Sequence, residues 1–249
     1  YAYAKQALQK AALVVFLTSS VGAFGVTHAD TSGRAITPQD LWAVKRVDNP
    51  VVSPDQKWIA FTVQTWSLEK NRAQNNIWLM DNQGRNQRRL TTADASDSAP
   101  VWSPDGSRIA FTSRRSDDEA PALYILRLDG GEAEKVLELP FGVMNPKWHP
   151  NGSSLIVGTK AIPALKGKWS ADDMQAMKRE MKRRRDSKMT AKVTEDRVYR
   201  FFDHWLTDEL STHFLQLDLG SKSINDLTPQ SKDLFSSSST FDFTISPDR

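Results

Sequence analysis

The chain has 249 residues, 39% of them hydrophobic, with eight Trp and eleven Phe, enough apolar material for a packed core and too much for a disordered chain. It contains no cysteine, which excludes disulfides, thiolate metal sites, a Cys nucleophile and a lipidated N-terminal Cys. The formal net charge of +3 is uneven, because residues 178–192 hold eight basic side chains and two acids while the remainder holds 25 basic against 28 acidic.

Residues 1–29 read as a secretory signal peptide lacking its start. Lys5 and Lys10 precede the apolar run 11–17, and small residues follow up to Ala29, with cleavage after Ala23 or Ala29. Thr18, Ser19 and Ser20 interrupt the run, which is too short for a stable membrane span. A buried N-terminal helix is the alternative. A periplasmic or secreted location follows from the export reading. Residues 30–47 form a linker and a short helix near 38–46, where Thr37 caps, Pro38 takes the first helical position and Asp40 lies in the first turn.

From residue 48 the chain repeats one phrase. Copies begin at Asn49-Pro50, Ala99-Pro100 and Asn145-Pro146 and run through Ser53-Pro54-Asp55, Ser103-Pro104-Asp105-Gly106 and His149-Pro150-Asn151-Gly152; a fourth starts at Phe243 and reaches Asp248. In the first three, an apolar strand begins six residues after the Ser or His, at Ile59, Ile109 and Leu155. Proline presets the first corner of a turn, and Asp or Asn with Gly tolerates the second. A second hairpin follows in each unit, closed through Gly84 at Leu90-Thr91, through Gly130-Gly131 at Val136-Leu137, and through Gly220 at Leu227-Thr228. Two hairpins make four strands. The intervals Ser53 to Ser103 and Ser103 to His149 are 50 and 46 residues, close to the roughly 40–50 of a four-stranded propeller blade. The reading is all-β: a partial β-propeller over 48–249, about three blades and the start of a fourth, with an open β-sandwich as the alternative.

The interval from His149 to Ser246 is 97 residues, so an insertion at about 163–195 interrupts the third blade. It reads as a helix starting after Ser170, with Asp172 and Asp173 in its first turn, cations toward its end, and Met174, Met177 and Met181 on one face. Such a helix binds nucleic acid or anionic lipid, presents a solvated face over a methionine seam packed on the blade, or borders a cavity and meets another domain. With no aromatic side chains interleaved, the solvated face is the better reading and no nucleic-acid partner is expected. Residues 197–205 then read as one strand, with Phe201 and Trp205 on one side and Arg200 and His204 on the other.

Catalytic motifs are missing. The sequence has no Gly-x-Ser-x-Gly, phosphate loop, dinucleotide glycines or His-Glu-x-x-His. Asp55, Asp105 and Asp248 come one per blade, as turn residues rather than as a convergent calcium site, so no metal and no cofactor is expected.

The phrase at 103–111, its variants at 53–61 and 149–157, and the Leu-Thr closures at 90–91 and 227–228 resemble TolB-like (PD40) propeller repeats. The leader, the helix at 37–42, the insertion followed by 197–205, and His213-Phe214 together resemble the N-terminal propeller of the prolyl oligopeptidase family of serine peptidases, in its bacterial acylaminoacyl-peptidase and dipeptidyl-peptidase branch. That resemblance, covering 37–249, implies a catalytic α/β-hydrolase domain beyond residue 249, so that no catalytic residue lies in this chain. It also implies a propeller that admits short peptides to the site. The partners implied are a peptide substrate and the chain's own hydrolase domain, with homo-oligomerisation left open. Arg200, His204 and Trp205 are the candidate substrate-binding residues. Asp208-Glu209 lacks the setting of the acidic pair that grips a free amine in dipeptidyl relatives. The rival reading is a non-catalytic periplasmic TolB-like propeller that binds partner proteins.

Overall fold

In the computed structural model, residues 34–162, 169–188, 200–201, 204–205, 210–231 and 243–246 are described. The signal-peptide reading and Asp208, Glu209 and Asp248 fall outside them. In chain order the elements are α1 (Pro38–Ala43), β1 (Arg46–Val52), β2 (Trp58–Ser67), β3 (Arg72–Asp81), β4 (Arg88–Arg89), β5 (Ser96–Trp102), β6 (Arg108–Arg114), β7 (Ala122–Arg127), β8 (Glu134–Leu137), β9 (Met144–Trp148), β10 (Ser154–Ala161), α2 (Ala171–Asp186), β11 (Arg200–Phe201), β12 (His204–Trp205), β13 (Ser211–Asp218) and β14 (Ile224–Asp226). Three four-stranded antiparallel sheets result, ordered β1-β2-β3-β4, β5-β6-β7-β8 and β9-β10-β13-β14. Each is a meander in sequence order, the arrangement of propeller blades rather than of a sandwich.

The repeated phrase builds the first hairpin of each blade by one set of bonds. Ser53 N–H donates to Trp58 O at 2.8 Å and Ser103 N–H to Arg108 O at 2.9 Å, while His149 N–H donates to Ser154 O at 3.0 Å. The buried Ser hydroxyl adds a clamp. Ser103 Oγ accepts from Arg108 N–H at 2.9 Å and donates to Asp105 Oδ1 at 2.5 Å, and that carboxylate takes Ser107 N–H at 3.0 Å. Ser53 and Asp55 repeat this around Trp58 and Lys57. In the third copy His149 Nδ1 accepts from Asn151 N–H at 3.2 Å instead. The turn requires a left-handed residue, supplied by Gly106 (φ 71°) and Gly152 (φ 68°) but by Gln56 (φ 60°) in the first blade. A second left-handed residue precedes the proline of every first strand: Asn49, Ala99 and Asn145, at φ 50°, 52° and 45°. The pairing of β1 with β2 shifts register there, between Asp48 and Val51.

The Leu-Thr closures also have a cause. Leu90 N–H returns to Ile77 O at 2.8 Å, and Thr91 Oγ1 accepts from Ile77 N–H at 3.0 Å. Leu227 and Thr228 do the same to Phe214, both at 2.9 Å.

The chain divides into two compact units between Pro100 and Val101, within β5. In the first, Ile59, Phe61 and Val63 cluster with Trp78 and Met80, while α1 buries no residue and meets β2 through an edge contact of Trp42 with Trp66. The helix stops at Ala43, short of the expected 46, because β-branched Val44 takes an extended backbone. In the second unit one core serves two blades. Ala110, Leu123, Ile125 and Leu137 of the second blade pack with Trp148, Leu155, Val157, Leu215 and Leu217 of the third. Arg108 seals this contact, with its guanidinium 4.6 Å from the Trp148 ring and Nη2 donating to Gly152 O at 2.9 Å. Neither sheet can bury its face alone.

Between β10 and β13 the chain departs and returns in register: Ala161 pairs with Ser211, and residues 162–210 lie between. Residues 197–205 do not form one strand, as the alternating pattern suggested. β11 pairs antiparallel with β12, Arg200 opposite Trp205 and Phe201 opposite His204. In the sequence, Asp203, of a type depleted in strands and favoured in turns, is the residue that argues against a single strand.

Candidate functional site at the base of the insertion

The three sequence-predicted docking residues are brought together by this ribbon, with Arg200 on β11 and His204 and Trp205 on β12. Their backbones share one short antiparallel pair within the insertion. The helix that precedes them is anchored on the two blades.

Ser170 caps α2, its Oγ accepting from Asp173 N–H at 3.2 Å while the Asp173 carboxylate accepts from Ser170 N–H at 3.1 Å. Met177 is 1% exposed, and Met174 packs against the core shared by the second and third blades. The helix therefore meets the blades at Met174, while Arg179, Lys182, Arg183 and Arg185 are exposed. Glu180 accepts from Arg183 at 2.6 Å and Arg184 at 2.7 Å, and these two, Arg183 foremost, hold its carboxyl down at about 2. Lys178 comes within 3.8 Å of Glu138, just past β8.

Glu138 belongs to a polar ladder on the second blade. Asp118, its side chain 1% exposed, accepts from Arg115 N–H at 2.8 Å, Tyr124 Oη at 2.8 Å and Lys135 Nζ at 2.9 Å, and Lys135 also reaches Glu138 at 2.9 Å. Burial pushes Asp118 up, but Lys135, the Arg115 amide and Tyr124 together hold it below the ordinary carboxylate value. Burial, then the Asp118 carboxylate, raises the Tyr124 phenol to about 12.

At the base itself lies a second buried chain of polar groups that sequence reading missed. Ser211 Oγ is 2.8 Å from His213 Nε2, and His213 Nδ1 is 2.7 Å from Asp226 Oδ2. Trp169 Nε1 donates to the same carboxylate oxygen at 2.9 Å, and Thr228 N–H donates to Oδ1 at 2.9 Å. The network is satisfied when Nδ1–H donates to the carboxylate and Ser211 Oγ–H donates to Nε2. The order Ser, His, Asp copies the connectivity of a hydrolytic triad, yet Ser211 is 2% and His213 3% exposed. A substrate carbonyl must come within roughly 3–3.5 Å of a nucleophile, and a hydroxyl this deeply buried does not meet one. The chain is a fastening. Its sequence signal was faint: Ser211 and His213 alternate onto one side of β13, but Trp169 and Asp226 are distant in sequence. Among the described residues no group of His, Cys, Asp and Glu is arranged to hold a metal ion, and no helix is long and apolar enough to cross a membrane.

The PD40 family, described as the TolB beta propeller domain, matches residues 43–182, more than half of the chain. The chain belongs to that family. Its relatives include peptidases. The uncharacterized peptidase YuxL of Bacillus subtilis is 36% identical over 124 residues, covering 50% of this chain and 19% of its own length. Dipeptidyl-peptidase 5 of Porphyromonas endodontalis is 23% identical over 208 residues, 84% of this chain and 27% of that protein. The chain thus spans about a fifth to a quarter of these relatives. Among solved structures, the acylaminoacyl peptidase of Pyrococcus horikoshii matches 73% of this PD40 chain and 24% of its own at 19% identity, with a TM-score of 0.50. The AtxE2 isopeptidase matches 78% of this chain and 32% of its own at 18% identity, with a TM-score of 0.53. At such identities these structures speak for the fold alone.

Proposed function

We propose that this chain is the substrate-gating propeller portion of an exported serine peptidase acting on short peptides, its Ser, Asp and His residing in an α/β-hydrolase domain outside these 249 residues. The observation that carries the reading is the similarity to dipeptidyl-peptidase 5 over 84% of the chain and only 27% of that protein, which leaves most of such a protein for a catalytic part. In this reading the propeller restricts access by size, and the ribbon bearing Arg200, His204 and Trp205 contacts the peptide. The chemistry would be acyl transfer by an activated serine, with backbone amides stabilising the oxyanion. Export to the periplasm or beyond rests on the leader-like residues 1–29.

The test is expression of the complete reading frame and assay against dipeptidyl, acylaminoacyl and prolyl chromogenic peptides, with a serine-directed phosphonate as inhibitor. Hydrolysis that the phosphonate abolishes supports the reading. A reading frame that closes the propeller and stops, with no hydrolysis, refutes it in favour of a TolB-like partner-binding scaffold.

A further inference from the structure

We propose that Trp169, His213 and Asp226 form a latch that sets the position of the 162–210 insertion on the third blade, and are thereby positioning residues for the ribbon at Arg200, His204 and Trp205. The functional half of this rests on the peptidase reading above.

The insertion leaves β10 at Ala161 and rejoins at the residue paired with it, Ser211. Trp169 stands beside the edge strand β14, where its indole N–H meets Asp226 Oδ2 at 2.9 Å. That oxygen is also bound by His213, two residues past the return point, at 2.7 Å. One carboxylate therefore fastens the outgoing leg, the returning strand and the blade edge together. The Trp169 ring stands edge-on to His213 at 6.0 Å between centroids, so the contact is packed as well as bonded.

The His213 and Asp226 side chains are 3% and 1% exposed, and Thr228 N–H takes the carboxylate's other oxygen. A buried polar network of this kind selects one arrangement, since any other leaves a charged group short of donors. Trp169 immediately precedes the cap of α2 at Ser170, so the latch fixes where the helix starts. Farther along, Lys178 pairs with Glu138 of the second blade at 3.8 Å, a half-exposed and correspondingly weak contact. Loosening Trp169 thus loosens the start of α2, which then keeps Met174 on the blade core as its remaining hold there.

The experiment uses the full-length protein and Trp169→Phe, which keeps the ring packing and removes the N–H, with Asp226→Asn as a second variant. Hydrogen exchange over 171–188 should accelerate about tenfold in Trp169→Phe, the equivalent of one hydrogen bond to a charged group, while amides of β6, β7 and β10 keep the wild-type rate. With a chromogenic peptide, KM should rise about threefold to tenfold and kcat stay within about twofold, the pattern of lost substrate placement rather than lost chemistry. Unchanged exchange in α2 would overturn the latch. Faster exchange with unchanged KM would overturn the positioning role. If the wild-type protein hydrolyses no peptide, the peptidase reading fails, and exchange still decides the latch.

Discussion

Replacing Ser103 by Ala removes a hydroxyl that is fully buried and doubly engaged. Its Oγ accepts from Arg108 N–H at 2.9 Å and donates to the Asp105 carboxylate at 2.5 Å, so the variant loses one neutral and one charge-assisted bond and leaves the first amide of β6 without that acceptor. At about 1 kcal/mol for the neutral bond and 1.5 or more for the charged one, the loss is about 2–3 kcal/mol. For a unit of this size each kcal/mol moves the midpoint by about 2–4 °C, so thermal unfolding at pH 7 should fall by about 4–12 °C. Ser107→Ala, whose exposed hydroxyl reaches the same carboxylate at 2.8 Å, should cost less than about 0.5 kcal/mol. The pH dependence follows from Asp105, which Ser103 Oγ first, then the Ser107 amide and hydroxyl, hold at about 2 against an ordinary 3.8. A carboxyl depressed on folding stabilises above its unfolded value and loses that contribution as pH falls through its folded value. The gap between wild type and Ser103→Ala should therefore narrow from about pH 4 to pH 2, modestly, because Asp105 is exposed and screened. A melting point within 1 °C of wild type, or a gap that does not narrow in acid, would refute the clamp.

Ala99 holds φ 52° where the other blades use Asn49 and Asn145, so Ala99→Asn should stabilise by about 0.5–1 kcal/mol, as should Gln56→Gly at φ 60°. Both should appear as a raised denaturant midpoint with an unchanged slope. Met177→Ala empties a fully buried site on α2; the packing of the helix should weaken by about 2–4 kcal/mol, read as faster tryptic cleavage at Arg183 to Arg185, whereas half-buried Met181→Ala should change it far less. One of the four tyrosines, Tyr124, should stay protonated until about pH 12 in an absorbance titration of the native protein. Since its phenol is raised on folding, its contribution is intact below about pH 10 and is lost as pH climbs toward 12; Tyr124→Phe should remove that step.

The blades were legible because their signals are local and repeated. Six residues from Ser or His to the first apolar strand residue, a prolyl turn with its acid, and a Leu-Thr closure each report a bond that forms within one hairpin. The helix after Ser170 was legible for the same reason, its cap and acids lying within one turn. The reversal inside 197–205 was not, because aromatic and charged residues alternate through it and only Asp203 argues against a strand. Least visible was the latch. His213 looks like an ordinary strand residue until the pairing of β13 with β14 brings Asp226 beside it and the insertion lays Trp169 across both.

The in-register base of the insertion also bears on how the chain is made. Strand β10 is almost wholly buried once β13 lies beside it, yet β13 is synthesised only after residues 162–210. At about 5–20 residues per second a ribosome needs about 3–10 s to supply that partner. Throughout this delay Leu155, Ile156 and Val157 sit on an apolar strand whose edge is open to any other chain. The excursion thus imposes on the nascent third blade a vulnerable waiting period that the first two, with partners one short turn away, do not share.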